Sequence, residues 1–311
     1  MPARPTSCNR WSSVHVVPGE CDVVVGKRRI RVRDAGDPEG ASVLFLHGLG
    51  DSRLDLRSSE PLAEELQVRL VSFDRPGYGG STPAEFGLLS VARDIEAVAD
   101  ALHIERFAVF GHSAGSRFAL AGAAALGDRV RCVGCASGAG PIREVPGAFD
   151  ELDAADRAAY ELLPDNPAAA ARVYEAAFEP MARMIAEGDN DDVVAAFRSM
   201  LSPADMALLE DPPICADAVA NARESIRQGV VGMAWDAVSW LVPWSFSAND
   251  VTCPVQLWYG SQDTTPVAHG EWLSDHLPQA SLTVWPGEGH LAYKRHLREI
   301  FTALLVHDPS I

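Results

Sequence analysis

Three residues far apart in the chain have the types that nucleophilic catalysis needs. Ser113 lies in Gly111-His112-Ser113-Ala114-Gly115, between the apolar run Phe107–Phe110 and a small-residue segment with helical spacing. Asp263 closes Gly260-Ser261-Gln262-Asp263, which follows the apolar run Pro254–Tyr259. His290 closes Gly287-Glu288-Gly289-His290, which follows Ser281–Trp285. A serine hydroxyl is a weak nucleophile until a base takes its proton. His290 can be that base, and Asp263 can fix its tautomer and stabilise the imidazolium. Each residue also has a plainer use: Ser113 as a helix N-cap, Asp263 as a turn aspartate, His290 as the cap of the last helix.

The elements around them favour the chemical use. The serine sits in a strand–turn–helix junction, where glycines on both sides let the backbone reverse sharply. N–H groups at the start of the next helix face that point and favour developing negative charge. Each of the three residues falls just past a predicted strand. In a parallel sheet those strand ends share one edge. Strands expected at Ala41–Leu46, Arg69–Phe73, Phe107–Phe110 and Val130–Ala136 alternate with helical patterns such as Leu88–Leu102. That alternation predicts an α/β fold with a mostly parallel sheet. A hairpin, Cys21–Gly26 with Arg29–Arg33, precedes it, and a closing helix over Ala292–Val306 follows.

Five motifs together resemble the α/β-hydrolase fold superfamily. They are Leu46-His47-Gly48-Leu49-Gly50, Asp74-Arg75-Pro76-Gly77-Tyr78-Gly79-Gly80-Ser81, Gly111-His112-Ser113-Ala114-Gly115, Gly260-Ser261-Gln262-Asp263 and Gly287-Glu288-Gly289-His290. The resemblance runs from about Asp22 to about Leu305. It implies a serine–acid–histidine triad in that chain order, and an oxyanion hole made by the backbone N–H groups of Ala114 and Leu49. In this motif His47 holds its loop, and Asp74 satisfies backbone donors in a tight turn. Ser116 stands where many relatives have another glycine.

Between Pro141 and Asp250 the strand signals vanish and Ala-rich amphipathic segments take over: 148–163, 166–187, 191–200, 203–210 and 216–228. This predicts a core domain from 1–140 and 251–311, with 141–250 inserted as a helical cap. The insertion carries 7 arginines, no lysine and 20 acidic residues, most of the chain's net charge of −17. Phe178, Met181, Met184, Ile185, Met233, Trp235, Trp240, Leu241, Trp244 and Phe246 supply its apolar inner faces. An acidic cover over an apolar slot should admit neutral hydrophobic substrates and disfavour anions. Arg183 and Arg227 are the alternative, as buried selectors for an anion.

The 311-residue chain is 47% apolar, ample for a large core. Its acidity argues against nucleic acid as a partner. No apolar run approaches the ~20 residues of a membrane span. Residues 1–12 read as a loose arm without the apolar region of a signal peptide, so a cytoplasmic location is the default. Cys132 and Cys135 stand three apart on a predicted strand, so their sulfurs should diverge. No metal cluster, phosphate loop or dinucleotide motif is evident, so no cofactor and no metal is expected. The reading is a capped serine hydrolase with a small-molecule substrate, a carboxylesterase on a neutral small or medium hydrophobic ester. Amide, thioester or carbon–carbon bond hydrolysis, and non-catalytic ligand binding, are the alternatives. Oligomeric state leaves no signal.

Overall fold

Strand β5 (Phe107–His112) sits inside the sheet because both its faces are apolar. Phe107 and Val109 enter one core, and Ala108 and Phe110 enter the other. The computed structural model describes residues 19–198 and 200–306. The arm expected over residues 1–12, including Cys8, lies outside them.

The other strands are β1 (Glu20–Val25), β2 (Arg28–Gly36), β3 (Ala41–Leu46), β4 (Val68–Phe73), β6 (Val130–Ala136), β7 (Val255–Gly260) and β8 (Ala280–Trp285). They form one sheet in the order β1-β2-β4-β3-β5-β6-β7-β8. The β1–β2 and β2–β4 pairs are antiparallel, and every pair from β4 to β8 is parallel. Helices α2 (Leu88–Ala101), α3 (Ala114–Leu126) and α10 (Val267–His276) cover one face. Helices α1 (Glu60–Glu65) and α11 (Leu297–Leu305) cover the other. Cys132 packs with α11 and Cys135 with α3, so the two thiols diverge and are free. Burial pushes both up to about 12.

The chain leaves β3 for β4 on one side, then crosses to β5 on the other. Loops at such a reversal diverge and leave a crevice beyond the strands' carboxyl ends. The loops after β3 and β5 hold Gly48-Leu49 and Ser113.

Among the described residues, the chain between β6 and β7 holds helices and no strand. These are α4 (Ala154–Tyr160), α5 (Pro167–Glu187), α6 (Asn190–Phe197), α7 (Pro203–Leu208), α8 (Pro212–Ser225) and α9 (Val231–Leu241). The helix expected from 148 starts only at Ala154, because the Asp153 carboxylate caps it by accepting from Asp156 N–H at 2.8 Å. Helix α9 was not foreseen. It is buried almost all round, so no amphipathic period marks it. The last helix begins at Leu297 rather than Ala292, which opens a short 3₁₀ turn, Ala292–Lys294.

Helix α9 is fastened to the sheet by a fully buried ion pair, Arg75–Asp236. The Tyr78 hydroxyl donates to the same carboxylate at 2.5 Å, and Arg117 donates to the Asp236 carbonyl at 2.7 Å. Helix α8 is held by Arg53 to Glu224 at 2.6 Å, and Ser52 N–H donates to Asn221 at 2.8 Å. The arginines expected to be buried, Arg183 and Arg227, are instead 64% and 63% exposed. Arg183 lies on a solvated face of α5 and Arg227 in the turn after α8, and among the described residues the buried arginines are Arg53, Arg75, Arg117 and Arg131.

Candidate active site

Ser113 follows β5 directly and adopts φ 50°, ψ −119°, a left-handed conformation that costs a non-glycine residue about 1–3 kcal/mol. The surrounding bonds enforce it: Ser113 N–H donates to Ala136 O at 2.7 Å, and Ser116 N–H donates to Ser113 O at 3.0 Å. Gly115 and Gly111 are needed for contact. A Cβ on Gly115 would overlap the Leu46 carbonyl, and one on Gly111 would lie 2.6 Å from the backbone of Gly115 and Ser116. Ser116 turns away from the cavity, its hydroxyl donating to Gly111 O at 2.9 Å.

Asp263 and His290 are in contact, with Asp263 Oδ1 2.6 Å from His290 Nδ1. A carboxylate beside Nδ1 keeps the proton there and leaves Nε2 as the free base. Thr265 N–H also donates to Asp263 Oδ1, at 2.7 Å. Burial pushes the Asp263 carboxyl up, but its hydrogen bonds and the neighbouring imidazole outweigh that and hold it below its ordinary value. Burial likewise works against charge on His290. The Asp263 hydrogen bond and charge, with Asp205 and Asp51 beyond, win and raise its pKa. Glu288 instead accepts from Arg295 at 3.0 Å.

Two partners of this pair were not legible in the sequence. Ser137, at the end of β6 between β5 and β7, has φ 57° and donates its hydroxyl to Asp263 Oδ2 at 2.5 Å. Asp205, in α7, is fully buried and accepts from His290 N–H at 3.0 Å and Leu291 N–H at 2.6 Å. Its approach explains Gly289: a Cβ there would collide with the Asp205 carboxylate and the Ser202 hydroxyl. A serine–proline–alanine–aspartate helix start gave the only local hint, as a capping box.

His47 is buried and holds its loop, as the motif implied. Its Nδ1 lies 2.9 Å from Gly48 O, and its Nε2 accepts from Arg75 N–H at 3.3 Å. Burial first, and the Arg75 charge next, hold its pKa well below the ordinary value, so it is neutral. Arg75 also donates to His47 O at 2.5 Å and to Gly48 O at 3.1 Å. The same guanidinium therefore grips both the Gly48-Leu49 loop and helix α9. Asp74 accepts from Arg53 N–H at 2.8 Å and Gly80 N–H at 2.9 Å, as a turn aspartate should.

Ser113, His290 and Leu49 line one cavity of about 310 Å³. Ala114 opens α3, and the first N–H groups of a helix have no intrahelical acceptor. Phe178, Met181, Ile185 and Met233 form part of the wall, with Phe197, Met200, Leu209 and Ile226. Trp235, Trp240, Leu241, Trp244 and Phe246 do not reach the cavity and pack in the core, while Met184 is exposed. One side of the cavity is polar, where Asp51, Asp55, His112, Asn221 and Lys294 converge. None of these was singled out for chemistry from the sequence. No described helix is long and apolar enough to cross a membrane.

Comparison with known proteins agrees with this fold. The chain is 36% identical over 61 residues to the pimeloyl-[acyl-carrier protein] methyl ester esterase of Chromobacterium violaceum, covering 19% of this chain and 24% of that protein. It is 36% identical over 100 residues to the proline iminopeptidase of Arabidopsis thaliana, covering 31% of this chain and 26% of that one. These matches span only about a quarter of each relative's length. A solved hydrolase from Pseudomonas aeruginosa superposes with a TM-score of 0.67 at 18% identity, covering 94% of this chain and 99% of that one. The enol-lactonase of Burkholderia xenovorans gives 0.65 at 16%, covering 92% and 99%. The family model described as alpha/beta hydrolase fold matches residues 41–297. Since that match takes in the sheet from β3 to β8 together with the loops bearing Ser113, Asp263 and His290, the chain belongs to the α/β-hydrolase fold family.

Proposed function

We propose that the protein is a serine hydrolase that cleaves small or medium, mainly hydrophobic carboxylic esters through an acyl-enzyme. The observation that carries this reading is the strained Ser113 opening into the same cavity as the hydrogen-bonded Asp263–His290 pair. His290 Nε2 takes the Ser113 proton as Oγ attacks the ester carbonyl. Backbone N–H groups of Leu49 and Ala114 hold the oxyanion. The imidazolium then protonates the leaving alcohol. Water, deprotonated by His290, attacks the acyl-enzyme, releases the acid and restores the serine.

The apolar cavity wall supports a hydrophobic substrate, and the relative named as a methyl ester esterase supports an ester. In this reading residues 141–250 act as a cap on a core formed by 1–140 and 251–311. A fluorophosphonate probe tests the nucleophile: labelling of wild type but not of Ser113→Ala is expected. Ester, thioester and amide substrates of matched acyl group test the bond. Faster turnover of the amide or thioester than of the ester would overturn the ester assignment.

A further inference from the structure

The polar corner of the cavity has acceptors without donors. Asp55 is satisfied: the Tyr293 hydroxyl donates to it at 2.7 Å and Lys294 Nζ at 2.5 Å. Asp51 is only half satisfied. Its Oδ1 accepts from Asn221 Nδ2 at 2.7 Å, whereas its Oδ2 faces His112 Nδ1 at 3.7 Å, too far for a hydrogen bond. His112 is 2% exposed and stacked on Tyr293 with ring centroids 4.1 Å apart. Its Nε2 lies 3.3 Å from the His290 carbonyl oxygen. A carbonyl only accepts, so Nε2 carries the hydrogen and Nδ1 of the neutral ring presents a lone pair. That Nδ1 is buried and has no partner.

Charge narrows what belongs there. Although burial opposes ionisation, the Lys294 ammonium nearby favours the charged form of Asp51, so it is anionic. Asp51 and Asp55 carry two negative charges and Lys294 one positive charge, so one carboxylate is uncompensated. A monocation balances the corner. A divalent metal ion overshoots it and must sit beside the Lys294 ammonium. An ammonium group also has at least two N–H donors, one for each acceptor, whereas a hydroxyl has one.

We infer that this corner is a subsite for a protonated amine on the substrate, held by Asp51 Oδ2 and His112 Nδ1 while the apolar wall holds the rest. The inference rests on the serine-hydrolase reading and narrows its substrate class to esters with an amine on the acyl side. Asp51 lies two residues after Leu49, and its Oδ2 is 2.6 Å from where a Cβ on Gly48 would sit. The ammonium is thereby placed beside the oxyanion loop.

The test is a series of nitrophenyl ω-aminoalkanoates of graded length, each paired with the isostere that has methyl in place of ammonium. The readout is the ratio of kcat/KM within each pair. At the best length wild type should favour the ammonium ester by at least about tenfold, and Asp51→Asn should remove most of that ratio. A ratio at or below one at every length, or a ratio that survives in Asp51→Asn, overturns the subsite. So does a ratio that changes with chelator or added zinc, which would make the corner a metal site. Binding of hexylammonium against hexanol to Ser113→Ala protein, by calorimetry, reads the subsite without catalysis. Tighter hexylammonium binding supports it even if no ester is turned over, and equal binding overturns it even if esters are.

Discussion

Asp205, in helix α7, and His290, in the loop after β8, are joined through a backbone hydrogen bond. The Asp205 carboxylate accepts the His290 N–H at 3.0 Å, and its other oxygen accepts the next N–H, of Leu291, at 2.6 Å. Helix α7 thus holds the backbone of the proposed base. Asp205→Asn should lower kcat more than it changes KM, by roughly tenfold, because one oxygen and the charge are lost. The ascending limb of the pH–rate profile should also move to lower pH, since the Asp205 charge helps to raise His290. An unmoved limb would show that Asp205 braces the fold without acting on the histidine.

The pH dependence has a definite sign. His290 must be neutral to accept the serine proton, and its folded pKa is raised. Activity should therefore rise with pH through a midpoint above the ordinary histidine value of about 6.5. Asp263→Asn removes the hydrogen-bonded charge, so the midpoint should fall and the rate should drop by roughly 10⁴-fold through the wrong tautomer. Initial rates between pH 5 and 9, on both proteins, check this.

Ser113→Ala should lose roughly 10⁴-fold or more in ester turnover. It should remain folded, and relief of the left-handed serine is no part of the change, because alanine inherits the same backbone angles. Thermal melts alongside burst kinetics separate loss of nucleophile from loss of fold.

The Arg75–Asp236 pair is buried on both sides. Asp236→Ala leaves the guanidinium and the Tyr78 hydroxyl without their acceptor, so it should cost about 3–5 kcal/mol of stability. Urea unfolding measures this. Loss of ester activity below the melting transition is also expected, since Arg75 grips the carbonyls of His47 and Gly48.

An anionic ester should have a lower kcat/KM than an uncharged isostere, and added salt should narrow the gap. The 20 acidic residues in 141–250, against 7 arginines, repel it at a distance, and Asp51 repels it at the corner. Rates at low and high ionic strength test both contributions, because screening weakens the first more than the second.

Local sequence determined what local chemistry controls. A glycine on each side of Ser113, apolar runs before Ser113, Asp263 and His290, and helical spacing elsewhere were enough to mark the elbow, the strands and the sheet edge. Those features depend on neighbours in the chain: backbone freedom at glycine, and period-2 or period-3.6 burial. Asp205, Asp236 and Asp51 have no such mark. Asp205 and Asp51 each stand near other acidic residues in the chain, and Asp236 is the lone charge of the apolar run Val231–Leu241, where nothing names its partner. Only the packing of α7 against the His290 loop, of α9 against Arg75, and of Asn221 and His112 around the β3 loop separates them. A carboxylate's role is set by which donors reach it and whether water is excluded, and both are decided by residues distant in sequence.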